Sequence, residues 1–242
     1  MFGEIESKYL AGLLDADGCL HFSNNNGYLA LTLSLSLSES IDRDGRFAKY
    51  LVSKVGNLYT RKREETWAVQ NEWVVTRRRD LELLLPHIIK HMVVKGKKWQ
   101  AMLEIYRSKP ADFNLETLRE QVDLHGPVKP KNHPTWAWTA GYIDGDGWYL
   151  KRERPRQIEM HVGAVSHKDH TGGLLLLQKA FGGVVKEDRG HYRWIKNLGP
   201  RDKKFALMFL RKMVNHSHLK KWKIEQMIST YSQRLSDNSP TG

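Results

Sequence analysis

The chain has 242 residues, 40% hydrophobic and 27% charged, which excludes a disordered chain and leaves room for one large domain or two ordinary ones. Its 39 Lys and Arg against 27 Asp and Glu give a net charge of +12 and a pI near 9.7, an electrostatic footprint suited to phosphate-bearing partners. The single cysteine, Cys19, excludes an intramolecular disulfide and a Cys-based zinc site and fits a reducing interior; no apolar run approaches the ~18 residues of a membrane span, and Met1 to Tyr9 lacks the basic-then-apolar order of a secretory leader.

In chain order, Ser7 is the expected N-cap of a helix running through Leu14. Asn24-Asn25-Asn26-Gly27 then reads as a hairpin turn, because Asn and Gly tolerate positive φ. Leu29, Leu31, Leu33, Leu35 and Leu37 alternate with Ala30, Thr32, Ser34, Ser36 and Ser38, the period-two signature of a half-buried strand. Phe47, Leu51 and Val55 fall at helical spacing and Gly56 closes that helix. Strands are expected over Leu58–Arg63 and Thr66–Thr76, then helices over Leu81–Met92 and Lys98–Arg107, with Pro86 opening or kinking the first of these.

From Pro110 to Pro134 five residues, Pro110, Gly126, Pro127, Pro130 and Pro134, punctuate the chain as a linker, in which Asn114 can cap one short helix. Thr135 starts the next helix. Strands follow near Trp148–Arg154 and Gln157–Ser166, a helix over Leu174–Phe181 stopped by Gly182-Gly183, and strands near Val184–Asp188 and His191–Lys196. Helices over Lys203–Val214 and Leu219–Tyr231 end the pattern, and Asp237 to Gly242 is a polar tail.

That order of elements occurs twice. Residues 10–18 read Leu-Ala-Gly-Leu-Leu-Asp-Ala-Asp-Gly and residues 139–147 read Thr-Ala-Gly-Tyr-Ile-Asp-Gly-Asp-Gly, 129 positions later. Downstream, Gly56 is matched by Gly182-Gly183, Trp73 by Trp194, and Lys97-Lys98-Trp99 by Lys220-Lys221-Trp222, the offset drifting to 123 as loops change length. The expected organisation is a first unit over 1–109, a linker over 110–132, a second unit over 133–236 and a tail over 237–242. Each unit reads helix, two strands, helix, two strands, helix or helices, an α+β class with antiparallel sheets.

The two nine-residue segments have two oddities. Ala11-Gly12 and Ala140-Gly141 place small residues inside helices, where glycine costs ~0.5–1 kcal/mol relative to alanine unless a second backbone comes close. Each helix also ends in Asp-x-Asp-Gly, although a helix C-terminus disfavours a carboxylate by ~0.3–1 kcal/mol. Two carboxylates at two such ends ask for a cation. Plain turn acids or a calcium loop are the alternatives, but Cys19-Leu20-His21 and Trp148-Tyr149-Leu150 do not supply the further ligands of a calcium loop.

On these residues the chain resembles the LAGLIDADG homing endonucleases of the single-chain, two-motif type, and the resemblance covers nearly its whole length. It implies two pseudo-symmetric αββαββα units, motif helices packed side by side at their interface, and antiparallel sheets forming a DNA-binding saddle. It further implies a monomeric, sequence-specific endonuclease that needs no protein partner and makes a staggered break in a long, asymmetric double-stranded DNA target. Asp17 and Asp146 match the family's catalytic, metal-holding positions, while Asp15 and Asp144 are helix-end and packing residues. Mg²⁺ is the expected ion, with Mn²⁺ able to substitute and Ca²⁺ binding without supporting cleavage; the backbone share of its ligands stays open. The family also places a lysine near each metal site. Lys97 and Lys220 are matched to it, with Lys95 a competitor for the first copy and a solvated basic helix start the bland alternative. A polar position after the second strand is matched to Glu39 and His167. Two intact acids favour an active nuclease; the alternative is a non-cleaving intron RNA maturase or DNA-binding protein of the same fold.

A two-stranded ribbon fits the ~12 Å major groove, so the strand alternation selects candidate DNA contacts. In the first unit these are Asn24, Asn25 and Asn26 at the hairpin tip, Ser34, Ser36 and Ser38, and Arg61 and Arg63 with Lys62 between them. In the second they are Arg152, Arg154, Arg156, Gln157, Glu159 and His161, then Lys186, Arg189, His191 and Arg193. Arg reads G and Asn or Gln reads A in bidentate fashion, whereas basic residues outside the groove grip phosphate. An Asn- and Ser-rich first hairpin against an Arg-rich second one predicts a non-palindromic target.

Overall fold

The computed structural model describes residues 2–62, 69–125, 134–154, 157–167, 171–199 and 202–237. The first unit contains α1 (Glu4–Asp17), β1 (Gly18–Asn25), β2 (Tyr28–Ser38), α2 (Arg46–Lys54), β3 (Asn57–Lys62), β4 (Val69–Val75), α3 (Arg78–Ile89) and α4 (Gly96–Ser108). A linker helix, α5 (Leu115–Asp123), follows. The second unit contains α6 (Trp136–Asp146), β5 (Gly147–Arg154), β6 (Gln157–His167), α7 (Gly172–Phe181), β7 (Val184–Asp188), β8 (His191–Asn197), α8 (Lys203–Val214) and α9 (Lys221–Asp237). The fold is α+β, with two four-stranded antiparallel sheets ordered β1-β2-β4-β3 and β5-β6-β8-β7. Residues 63–68, and with them Arg63, lie outside the described residues, as does Arg156.

Local chemistry explains most element boundaries. Asn26 (φ 52°) and Gly27 (φ 85°) form the two-residue connection between β1 and β2, and Asn24 Oδ1 accepts the Gly27 N–H at 2.8 Å. Asn114 Oδ1 accepts from the N–H groups of Glu116 and Thr117 and so caps α5, and Thr135 Oγ1 accepts from Trp138 N–H and caps α6. Two expectations need correction. Ser7 does not cap α1, which starts three residues earlier; the Glu6 carboxylate accepts the Gly3 N–H at 2.7 Å instead, and Ser7 is buried inside the helix. Pro86 does not open α3, which begins eight residues before it at Arg78. Proline at this place leaves the Glu82 carbonyl without its helical donor, and the Arg107 guanidinium of α4 donates to that oxygen at 3.4 Å.

α1 and α6 are the axis of the molecule. From Tyr9 to Asp15 and from Ala137 to Asp144 every residue is buried, so neither helix has a solvent face. Their backbones meet at the two glycines. A Cβ on Gly12 would lie 2.0 Å from the Trp138 carbonyl oxygen, and one on Gly141 would lie 2.0 Å from the Tyr9 carbonyl oxygen. Tyr9 and Trp138 are themselves 129 residues apart, so the contact repeats under the pseudo-two-fold relation of the units. The close approach offsets the propensity cost of an in-helix glycine.

Each sheet lays its apolar row on these helices. Leu20, Phe22, Leu31, Leu33, Leu35, Trp73 and Val75 form the inner row of the first, and Tyr149, Met160, Val162, Ala164 and Trp194 that of the second. Trp73 and Trp194, both fully buried, donate their indole N–H to the carbonyls of Val55 (2.7 Å) and Gly182 (2.8 Å), where α2 and α7 turn into the next strand. Gly56 and Gly183 sit at those turns with φ of 88° and 94°, and a Cβ on either would come 2.9 Å from the indole nitrogen.

Candidate active site

α1 and α6 each run directly into the first strand of their sheet, so Asp17 and Asp146 close the two helices beside one another. Their carboxyl groups are close enough for each to perturb the other's titration. Asp17 is exposed and Asp146 half-buried, so the pair opens to solvent. The protein crowded around it still withdraws enough water to raise both carboxyls above the usual range. Burial, then repulsion by Asp17, pushes Asp146 up to about 7. Two acids crowded together in this way repel each other when ionised, a repulsion that a cation between them would relieve. Gly145 completes the contact, since a Cβ there would meet Ala16 Cβ at 2.6 Å and Asp17 Oδ2 at 3.2 Å.

The lysine beside the first acid is Lys95, not Lys97. Lys95 Nζ donates to the carbonyls of Leu14 (3.1 Å), Ala16 (2.8 Å) and Gly18 (2.9 Å). Lys220 Nζ donates to Ile143 (2.8 Å), Gly145 (3.2 Å) and Gly147 (2.6 Å), the same three positions of the second motif. Lys97 is exposed in the first turn of α4 and has no part in this arrangement. Each buried ammonium therefore fills the carbonyl cluster that a helix C-terminus leaves open. Burial lowers both lysines, Lys220 to about 8, against the opposing pull of the aspartates. All three N–H bonds of each ammonium are directed at backbone oxygens. The lysines thus place positive charge behind the acids while keeping their protons committed.

Asp15 and Asp144 hold those lysines. Asp15, buried, accepts from the backbone N–H of Val93 (2.6 Å) and Lys95 (2.8 Å) and from the Trp138 indole (2.9 Å) of the opposite unit. Asp144, fully buried, accepts from His218 (2.9 Å) and Leu219 (3.0 Å) backbone N–H, from Ser217 Oγ and from the Tyr9 hydroxyl (2.8 Å) of the opposite unit. The first aspartate of each Asp-x-Asp thus ties the loop before the last helix to the motif helix, and ties one unit to the other.

The outward rows of the sheets flank the acid pair. In the first sheet Cys19, His21, Thr32, Ser34, Ser36 and Ser38 share one face with Asn57, Tyr59, Arg61, Gln70 and Glu72. Ser34, Ser36, Ser38 and Arg61 are thus on the predicted side, and Arg61 is held by Glu72 at 3.1 Å. Asn25 is in the same row, Asn24 is spent on the turn and Asn26 forms it. In the second sheet Arg152, His161, Lys186, His191 and Arg193 share the outward register, and the backbone positions of Arg154, Gln157 and Glu159 fall in it too. Arg193 pairs with Asp188 at 2.8 Å, and Arg189 stands at the β7–β8 turn with φ of 52°. Glu39 and His167 are not counterparts. The pairings Gly18↔Leu35 and Gly147↔Ala164 set His167 against Ser38, and Glu39 is exposed one residue past β2.

Sequence reasoning passed over Tyr28, Tyr59 and Trp148, aromatic side chains on the outward rows, the first two exposed by 78% and 50%. Tyr59 was within reach: Asn57, Tyr59 and Arg61 alternate as Ser34, Ser36 and Ser38 do. Among the described residues no group of three or more His, Cys, Asp or Glu side chains gathers as a metal cluster. The donor set at the axis is two carboxylates, which fits a hard cation that keeps waters and takes phosphate oxygens as its remaining ligands.

No protein-family model matches the sequence, and no curated protein matches it. The fold, by contrast, has clear likenesses among solved structures. The LAGLIDADG meganuclease I-AabMI bound to uncleaved DNA superposes with a TM-score of 0.68 at 16% identity, over 96% of this chain and 92% of that one. The I-SmaMI LAGLIDADG homing endonuclease bound to cleaved DNA gives 0.64 at 14% identity, over 98% and 92%. I-LtrWI bound to target DNA gives 0.65 at 13% identity, over 96% and 91%.

Proposed function

We propose that this chain, which has the fold of the LAGLIDADG homing endonucleases, is itself a sequence-specific DNA endonuclease that hydrolyses one phosphodiester in each strand of a long, asymmetric target. The observation that carries the reading is the adjoining Asp17–Asp146 pair at the axis between two outward-facing sheets. A divalent cation, Mg²⁺ on this reading, would be held by Asp17 and Asp146 and would supply the polarisation of phosphate and water that hydrolysis needs. The chain's own residues do the rest. Asp15 and Asp144 fix the loops that carry Lys95 and Lys220. Those two ammonium groups offset the charge of the acids and of an approaching phosphate, and their committed protons assign them a field role rather than proton donation. Arg61 and Arg193, already oriented by Glu72 and Asp188, face the groove. A net charge of +12 supports the phosphate grip. The two halves of the surface differ, so the target is not a palindrome, and a single chain carries both acids and acts as a monomer.

The test is to incubate the protein with a pool of randomised or genomic DNA fragments in Mg²⁺, in Ca²⁺ and in chelator, and to sequence the ends produced. Discrete double-strand cuts at one asymmetric site, present in Mg²⁺ and absent from the Asp17→Asn, Asp146→Asn double variant, are expected. Tight retention of one sequence without cutting in any metal would move the function to a binding protein, with RNA as the next ligand to try.

A further inference from the structure

The two halves of the axis differ at one side chain that the reading above leaves unused. Trp148 is the second residue of β5, two positions after Asp146, and pairs with Gly163 of β6. Val162 and Ala164, on either side of Gly163, are fully buried in the core, so Trp148 and Gly163 belong to the outward face. The indole lies over the glycine: a Cβ on Gly163 would come 2.3 Å from Trp148 Cζ2 and 2.7 Å from Cε2 and Cη2. Gly163 has no left-handed φ, and a mid-strand glycine that makes no turn weakens its strand. The ring occupying its side-chain space is the reason for it. In the first unit the corresponding pair is Cys19 opposite Ser34, two small polar side chains. Trp148 is half-buried, and among the described residues its indole N–H has no protein acceptor. Leu150 and Val165 continue an apolar strip on that face, where the first sheet presents His21 and Ser36.

A ring clamped on its inner side and open on its outer side, next to the acids, is a platform for something flat or apolar. On the endonuclease reading, on which this inference rests, the two sheets follow the major groove on either side and the axis between them faces the narrower groove. Apolar side chains that press on bases there favour steps that unstack easily, and the exocyclic amine of G obstructs them. We propose that Trp148 is a specificity-determining residue, whose indole contacts the base pairs between the two half-sites and selects deformable A·T steps on the second unit's side alone.

The experiment uses the full chain and a double-stranded library of its own target with the base pairs between the half-sites randomised. Retention is selected in Ca²⁺ and cutting in Mg²⁺. The wild type is expected to enrich A·T over G·C on the second unit's side by about tenfold. The double variant Trp148→Cys, Gly163→Ser copies the first unit's own pair and should fold; its preference there should fall to within about twofold, with the flanking half-site preferences unchanged. Gly163→Ala alone should displace the ring and lower the same preference, and should add nothing once Trp148→Cys is present. An unchanged profile in the double variant, or an equal loss of preference at every position, overturns the proposal. A wild type that neither retains nor cuts any DNA overturns the endonuclease reading instead.

Discussion

Asp146→Asn should make the metal-free protein more stable at neutral and alkaline pH. In the folded chain the Asp146 carboxyl is raised from its ordinary 3.8 to about 7, by burial first and by Asp17 second. A carboxyl raised in the folded state binds its proton more tightly there than in the unfolded chain. Stability from this group is therefore fully present below about pH 4 and is lost as pH rises through 7. At ~1.36 kcal/mol per pH unit the full difference would be about 4 kcal/mol. The exposed Asp17 and half-buried Asp146 face water and salt, which reduces the expectation to about 1–2 kcal/mol. For a chain of this length that is a gain of roughly 3–6 °C in Tm for Asp146→Asn at pH 8 in chelator, shrinking to nothing near pH 4. Mg²⁺ should reverse the order, since a cation held by both acids stabilises the wild type by mass action and has lost a ligand in the variant. Thermal unfolding of both proteins across pH 4–9, with and without Mg²⁺, reads this directly. A variant less stable than the wild type at pH 8 without metal, or an advantage that does not depend on pH, would refute the account of two acids forced together.

Gly12→Ala should destabilise the protein by about 3 kcal/mol although alanine is the better helix former, because its Cβ would lie 2.0 Å from the Trp138 carbonyl oxygen and the axis would have to open. The corresponding fall in Tm is roughly 6–12 °C, and no change in unfolding would contradict the close packing. Lys95→Met should cut DNA at least ~10-fold more slowly, while Lys97→Met should stay within about twofold of wild type. Single-turnover cleavage separates them, and a loss confined to Lys97→Met would return the role to that residue. Affinity for the target in Ca²⁺ should fall by roughly 10³-fold between 50 and 200 mM salt, as several released counterions require. Titration by fluorescence anisotropy would contradict the phosphate grip if affinity stayed flat.

Much of the architecture was legible because it is written in short-range chemistry. The alternation from Leu29 to Ser38 fixes a face, since a strand repeats every two residues, and the register Gly18↔Leu35 bears that face out. Asn114 and Thr135 cap their helices with side-chain oxygens that reach two or three residues along the chain. Ser7 misled because its type suits a cap, whereas the helix starts at the Gly3–Glu6 bond and Ser7 falls among its buried residues. Lys97 misled because Lys-Lys-Trp repeats in the sequence. The loops before α4 and α9, 90–95 and 215–220, are equally long and each ends on the lysine that reaches the motif carbonyls, so matching the two Lys-Lys-Trp runs shifts the first copy by two residues.

The sequence by itself determined the duplication, the order of elements, the small residues and acids of the two motifs and the outward rows of the sheets, all properties of neighbours along the chain. Only the tertiary structure decided that Asp17 meets Asp146, that Trp138 and Tyr9 cross to Asp15 and Asp144, that Lys95 and Lys220 cap the motif helices, and that Trp148 lies over Gly163. The physical reason is one of distance. The aspartate and lysine contacts join residues more than 70 positions apart. They exist because Gly12 and Gly141 let two helices dock backbone to backbone, which brings their ends, and everything attached to them, to one point.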